Sequence, residues 1–197
     1  MCGLKKTNLS MSSSYRDSLN KWLSQLEVSA NSVLDIGGSQ EQVKNRVKSW
    51  NVNEYLIGDL PNPHKDSIKP DIEMDLNSPI WSIEKTFDII FCLEVFEYIY
   101  NPLAALSRVE SYMNENGVAW VSFPSIYPMH EPINDDCLRY MPGGIKKLAE
   151  HARLNIAEMI PRRPETRTLL DFYSHERLRA AKNQDHMFMG WIVKFSK

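Results

Sequence analysis

The sequence predicts an α/β protein built on a doubly wound, mostly parallel sheet with helices on both faces. Three observations carry that class. Short runs rich in Val, Ile, Leu and Phe alternate with segments of helical period, as βαβ units do. One run, "FDIIFCL" (residues 87–93), is continuously apolar, which suits a central strand covered on both faces. Another, "VLDIGGS" (33–39), carries an apolar stretch into a glycine turn. Parallel strands need crossovers, and crossovers prefer one hand, so the alternation itself selects the doubly wound arrangement.

Composition bounds the molecule. A chain of 197 residues fits one ordinary domain. Residues 1–12 are polar and Ser-rich and are expected to form a flexible tail, leaving 13–197 as the folded unit. No apolar run approaches the roughly eighteen residues of a membrane span, so a soluble protein is expected. The N-terminal stretch "MCGLKKTNLSMSSSY" lacks the apolar core of a secretory signal, and a cytoplasmic setting follows. A net charge of −2 without a dense Lys/Arg run gives no call for a nucleic-acid partner. Cys2, Cys92 and Cys137 are scattered, with no CxxC pair, so neither a disulfide nor a structural metal is expected.

The elements follow in order. From Ser13 to about Glu27, Leu19, Trp22, Leu23 and Leu26 fall at helical spacing. "SVLDIGG" is the first strand and its turn, "EQVKNRVKSW" reads as a short helix, and "EYLIGDL" as a second strand ending in an acid. A Pro- and Asp-rich loop encloses a short strand at "DIEM", and "FDIIFCL" is the central strand. "NPLAALSRVESYMNENG" reads as a helix: Pro102 sits in the first turn, Leu103, Leu106, Val109 and Met113 share a face, and "NENG" closes it. "VAWVSFP" is a strand. The twenty residues "SIYPMHEPINDDCLRYMPGG" have no period and read as a lid or binding loop. "GIKKLAEHA" is then a helix, "LNIAEMIPR" a strand, "LLDFYSHERLRAAKN" a helix and "MFMGWIVKF" the last strand.

In such sheets ligands sit beyond the carboxyl ends of the strands, so residues there are the candidates for a site. Asp35, Gly37 and Gly38 end the first strand, where glycine lets backbone approach a ligand closely or simply makes a tight turn. Asp59 ends the second; its carboxylate suits the two hydroxyls of a ribose, or caps a turn before Pro61. Asp75 ends the third and can accept an amine hydrogen from adenine, or cap a turn with Asn77 and Ser78. Leu93 and Glu94 follow the fourth, with Glu97 close behind; carboxylates this near an apolar strand need a partner or a mouth.

This order resembles the class I S-adenosylmethionine-dependent methyltransferases. "VLDIGGS" looks like their first motif, Asp59 like their ribose acid, "DIEMDLN" like their adenine-side loop, and "FDIIFCLEVFEYIYNPLAAL" like the stretch that reads FD, apolar strand, EH or EY, then NP or DP. The resemblance spans roughly residues 30 to 160 and implies S-adenosyl-L-methionine as cofactor, bound by Asp35, Gly37, Gly38, Asp59, Asp75, Leu93 and Glu94. It also implies a seven-stranded Rossmann-like sheet with a reversed last strand. Tyr127, Pro128, His130, Asp136, Arg139 and Tyr140 resemble the "YPxH" and "DxxRY" loop of a type 11/23-like subgroup found among genes for glycan and surface-polysaccharide modification and in phages. There are departures. Ser39 and Glu41 stand where glycines are usual, Tyr98 where histidine is frequent, and "NENG" has one glycine where two are common.

The sulfonium methyl donor is already activated, so the protein must chiefly align the nucleophile and exclude water. For a hydroxyl acceptor, on a small molecule or a glycan, a base helps, and His130 has the position and pKa class for it; the other role for His130 is to order the lid. Asp136 and Arg139 either pair as a structural bridge or serve as orienter and acceptor-binding group. Tyr127, Tyr140 and Trp120 are either core or cover for a sugar ring, and His64, His151, His175 and His186 are assigned to surface or packing. Against other classes, the GxGxxG of a nicotinamide enzyme is broken. "LEVF" stands in place of the tetrapeptide of DNA amino-methyltransferases, and the Pro-Cys of cytosine-C5 enzymes is missing. The remaining alternative is a non-catalytic relative that acts as a binding or partner subunit.

Overall fold

A computed structural model describes residues 14–63, 66–80, 83–127, 129, 131–162 and 188–197. The tail expected over 1–12, the helix expected at "LLDFYSHERLRAAKN", and His64, Pro128, His130, His175 and His186 lie outside the described residues. Seven strands form one mixed sheet in the order β3-β2-β1-β4-β5-β7-β6. They are β1 (Glu27–Ile36), β2 (Ser49–Asp59), β3 (Ile72–Glu73), β4 (Phe87–Cys92), β5 (Met113–Pro124), β6 (Asn155–Arg162) and β7 (Gly190–Ser196). β1 to β5 pair in parallel, whereas β7 runs antiparallel to both β5 and β6. The strand order reverses between β1 and β4, which opens a crevice at their carboxyl ends.

The sheet separates two apolar layers because successive side chains of a strand point to opposite faces. Leu34 and Ile36 of β1, with Ile90 and Cys92 of β4, bury themselves against α2 (Pro102–Ser111) and α3 (Pro142–His151). Val33 and Phe91, one residue out of phase, face α1 (Ser14–Leu23) through Leu19 and Leu23. Trp22 of α1 lies against Trp120 of β5 with ring centroids 4.8 Å apart. Helix α2 starts where Asn101 caps the Ala104 N–H and Pro102 takes a position whose own N–H needs no partner.

Three sequence expectations are corrected. The helix at "EQVKNRVKSW" reduces to a single 3₁₀ turn, Val43–Asn45. Val43 is its one buried residue, and its N–H donates to the Asp35 carboxylate at 2.8 Å. Too small an apolar stripe remains to dock a helix, and β2 takes the rest of the segment, beginning at Ser49. "NENG" does not close α2 but belongs to β5, where pairing with β4 jumps from Phe87↔Met113 to Ile89↔Val118. Gly117 is required in that bulge, since a Cβ would stand 2.9 Å from both the Phe87 carbonyl oxygen and the Asn114 nitrogen. Leu103 is 38% exposed, and the buried face of α2 is Ala105, Leu106 and Val109.

Candidate active site

The crevice begins at the turn after β1. Asp35 is 2% exposed and accepts hydrogen bonds from the Val43 N–H and, at 2.5 Å, from the Tyr55 hydroxyl. Burial pushes its carboxyl up to about 6 in spite of these donors. Gly37 has φ +81° and donates to the Gly58 carbonyl at 2.8 Å. A Cβ on Gly38 would lie 2.6 Å from the Asp35 carboxylate, so the turn is drawn tight around that acid. Asp35 and Gly38 thus shape the turn.

Asp59 faces the same turn. One oxygen accepts the Ser39 N–H at 3.1 Å and the other the Leu60 N–H at 2.8 Å. A carboxylate offers about four acceptor positions, so two backbone donors leave it capacity for two more. The Ser39 hydroxyl is buried with no partner, an unsatisfied polar atom on the residue whose N–H Asp59 accepts. A cavity of about 680 Å³ opens on the β3 side of Asp59, among Pro61, Asn62, Ser67, Ile68 and Glu73. Its loop is tied back to the turn by the Ile68 N–H on the Ser39 carbonyl. Asp75 accepts the Asn77 N–H at 2.8 Å, capping the turn that follows β3, and Asn77 in turn donates to the Tyr98 carbonyl. That bond holds the Asp75 loop against the segment after β4.

After β4, Leu93 is buried and Glu94 adopts φ +58°, a left-handed conformation that turns the chain into the crevice. Its N–H donates to the Ser122 hydroxyl, which donates back to its carboxylate at 3.0 Å. The same carboxylate oxygen receives Arg162 at 2.5 Å, and Arg162 also donates to Ser18 of α1. The Arg162 side chain is 1% exposed, so Glu94 compensates a buried cation while keeping a face to solvent. Ser122, Arg162, Tyr55 and Arg46 are polar residues of this crevice that sequence reasoning missed.

The long loop closes over the segment after β4. The Cys137 and Leu138 N–H groups both donate to the Glu97 carbonyl, and the Tyr98 hydroxyl donates to the Glu131 carbonyl at 2.7 Å. Arg139 grips Asp136 through both arms at 2.5 and 2.6 Å and donates to the Tyr127 carbonyl. Beneath them Glu97 is 4% exposed with one carboxylate oxygen unpartnered. Burial, reinforced by Glu94, pushes its carboxyl up to about 8, with Arg162 and Arg139 acting the other way. Tyr140 and Trp120 are core residues, the former bonded through its hydroxyl to the Phe96 carbonyl.

No curated protein matches the chain in sequence. Its fold matches an S-adenosylmethionine-dependent methyltransferase from Archaeoglobus fulgidus with a TM-score of 0.61 at 16% identity, over 94% of this chain and 95% of that one. It also matches the methyltransferase partner of the Trm112 activator from Haloferax volcanii, with a TM-score of 0.60 at 13% identity over 92% and 95%. The mitomycin 7-O-methyltransferase MmcR matches with a TM-score of 0.60 at 12% identity, over 95% of this chain and 55% of that one. A family model described as a methyltransferase domain matches residues 10–181, most of the chain. Together with the crevice between β1 and β4, that match makes the chain a member of the methyltransferase-domain family.

Proposed function

We propose that the protein transfers a methyl group from S-adenosylmethionine to a hydroxyl of a small molecule or glycan. Family membership makes S-adenosylmethionine the methyl donor, and the residues at the strand ends suit it. The observation that carries the reading is Asp59, fixed by the Ser39 and Leu60 amides with acceptor capacity left for two ribose hydroxyls. Beside it the Gly37–Gly38 turn is drawn tight against Val95 and the Asp35 carboxylate, which fixes the backbone that borders Asp59. Asp75 takes the adenine side, and Leu93 and Glu94 the wall after β4.

The cofactor supplies a methyl carbon already activated by a sulfonium, so the protein's part is to orient the acceptor and exclude water. In this reading His130 removes the acceptor's proton, while Asp136 and Arg139 hold the loop that presents it. The "YPxH" and "DxxRY" pattern supports a place in the glycan-modifying subgroup, and an oxygen acceptor agrees with the name of one fold relative.

Calorimetry with S-adenosylhomocysteine tests the cofactor. Binding is expected, and Asp59→Ala should weaken it ~10–100-fold, the worth of a charge-assisted hydrogen-bond pair. Failure to bind at millimolar ligand would sink the reading. For the base, His130→Ala should cost ~100-fold or more in turnover of an identified hydroxyl acceptor; unchanged turnover removes His130 from the role.

A further inference from the structure

Glu97 is a buried acid that methyl transfer leaves without a task. It lies in a 3₁₀ turn, Phe96–Tyr98, whose three residues all hold the loop after β5. The Phe96 carbonyl accepts the Tyr140 hydroxyl at 2.9 Å, the Glu97 carbonyl accepts the Cys137 and Leu138 N–H groups at 2.7 and 3.2 Å, and the Tyr98 hydroxyl reaches Glu131. The Glu97 side chain is less well served. It is buried, and its Oε2 meets no hydrogen-bond partner. Charges reach it from two sides. On the crevice side stands Glu94, 24% exposed and bound to Arg162 of β6; on the loop side stands Arg139, bound to Asp136. The Tyr98 and Tyr140 phenols and the Cys92 thiol of β4 also feel Glu97, and burial pushes all three up, so they stay neutral. Burial and Glu94 keep the proton on Glu97 while Arg162 and Arg139 draw it off, and the carboxyl titrates at about 8.

We propose that Glu97 tells the charged methyl donor from the neutral product, releasing its proton when S-adenosylmethionine fills the crevice and keeping it when S-adenosylhomocysteine does. The inference rests on the S-adenosylmethionine reading above and adds to it a discrimination made by the protein. The two ligands differ by one methyl group and one positive charge. A buried carboxyl with an unpartnered oxygen holds its proton for want of a favourable field, and a cation in the neighbouring crevice supplies that field. The proton passes to solvent, and no other bond is made or broken. The carboxylate left behind attracts the donor through surroundings that screen poorly, whereas it offers the product nothing. The sign with pH follows. At pH 6 and below Glu97 is protonated in the free protein and contributes little preference; as pH rises through its titration the preference for the donor grows, and it levels off once the carboxyl is ionised with either ligand.

Calorimetry in two buffers of different ionisation enthalpy, near pH 7.5 and without a methyl acceptor, counts the protons exchanged on binding. With S-adenosylmethionine the unaltered protein should release ~0.3–0.5 proton more than Glu97→Gln, which matches the protonated acid in shape and cannot ionise. With S-adenosylhomocysteine the two proteins should exchange the same number. Comparing the proteins cancels any proton that belongs to the ligand's own amino group. From pH 6 to pH 8.5 the ratio of the two affinities should move ~10-fold further toward the donor in the unaltered protein than in the variant. Glu97→Met serves the same comparison if the amide variant does not fold. The proposal is overturned if the variant and the unaltered protein release equal numbers of protons with S-adenosylmethionine, or if the extra release accompanies both ligands alike. If the unaltered protein binds neither ligand, the cofactor reading itself has failed and the discrimination with it.

Discussion

Gly37 is the residue on which the crevice turns. Its φ of +81° is a region that residues with a Cβ avoid, and an added Cβ would stand 2.5 Å from a methyl of Val95. Gly37→Ala should therefore cost ~1–3 kcal/mol, read as a fall in melting temperature, because both the local conformation and the contact with the segment after β4 are disturbed. Gly38 differs in kind: its φ is ordinary, and what excludes a side chain is the Asp35 carboxylate. That distinction was out of reach of the sequence, in which the two glycines look alike. Asp59 was legible because an acid closing an apolar strand stands out against its neighbours. The Glu94–Arg162 pair was not, since Glu94 follows β4 and Arg162 ends β6, and only the sheet order brings them together.

At the level of elements, the loop after β5 is fastened to the segment after β4 by short polar contacts. The Tyr98 hydroxyl on the Glu131 carbonyl, at 2.7 Å, is one of them. Tyr98→Phe should remove this bond at a cost of ~1 kcal/mol confined to the loop. Hydrogen exchange should then quicken across residues 131–138 while the strands keep their protection; an even increase throughout would show that the bond supports the whole fold. Strands were the elements best read from sequence, because an apolar run or a two-residue alternation is local. The lost helix at "EQVKNRVKSW" was misread because Val43 is the one buried residue of its turn and the segment from Ser49 pairs with β1, a neighbour the local pattern does not show. The bulge at "NENG" was misread because a glycine after a helix has two equally local explanations, and only the neighbouring strand chooses between them.

Across the whole molecule, two buried acids give stability a direction with pH. Asp35 and Glu97 have folded-state values raised to about 6 and about 8, against 3.8 and 4.5 as ordinary values. Below both ordinary values each acid is protonated folded or unfolded, and nothing is lost. As pH rises the unfolded chain releases its protons first, so stability declines from about pH 4 until the folded acids ionise near pH 8. Denaturant melts at pH 5 and pH 8 should show this decline, and Glu97→Gln should make it shallower by raising stability chiefly at pH 8. A variant that falls equally with pH would show that Glu97 has a cationic partner in the folded state.

The ten residues of α1 bring Arg16 and Asn20 to the mouth of the crevice and, on the adjoining side, set Trp22 against Trp120. The helix that touches the site is therefore also coupled to a pair of indoles. Arg16 and the indole of Trp22 stand within two turns of the same helix. Tryptophan emission should therefore shift as the crevice fills, and a titration with S-adenosylhomocysteine that binds but leaves emission flat would show that α1 is not coupled to the site.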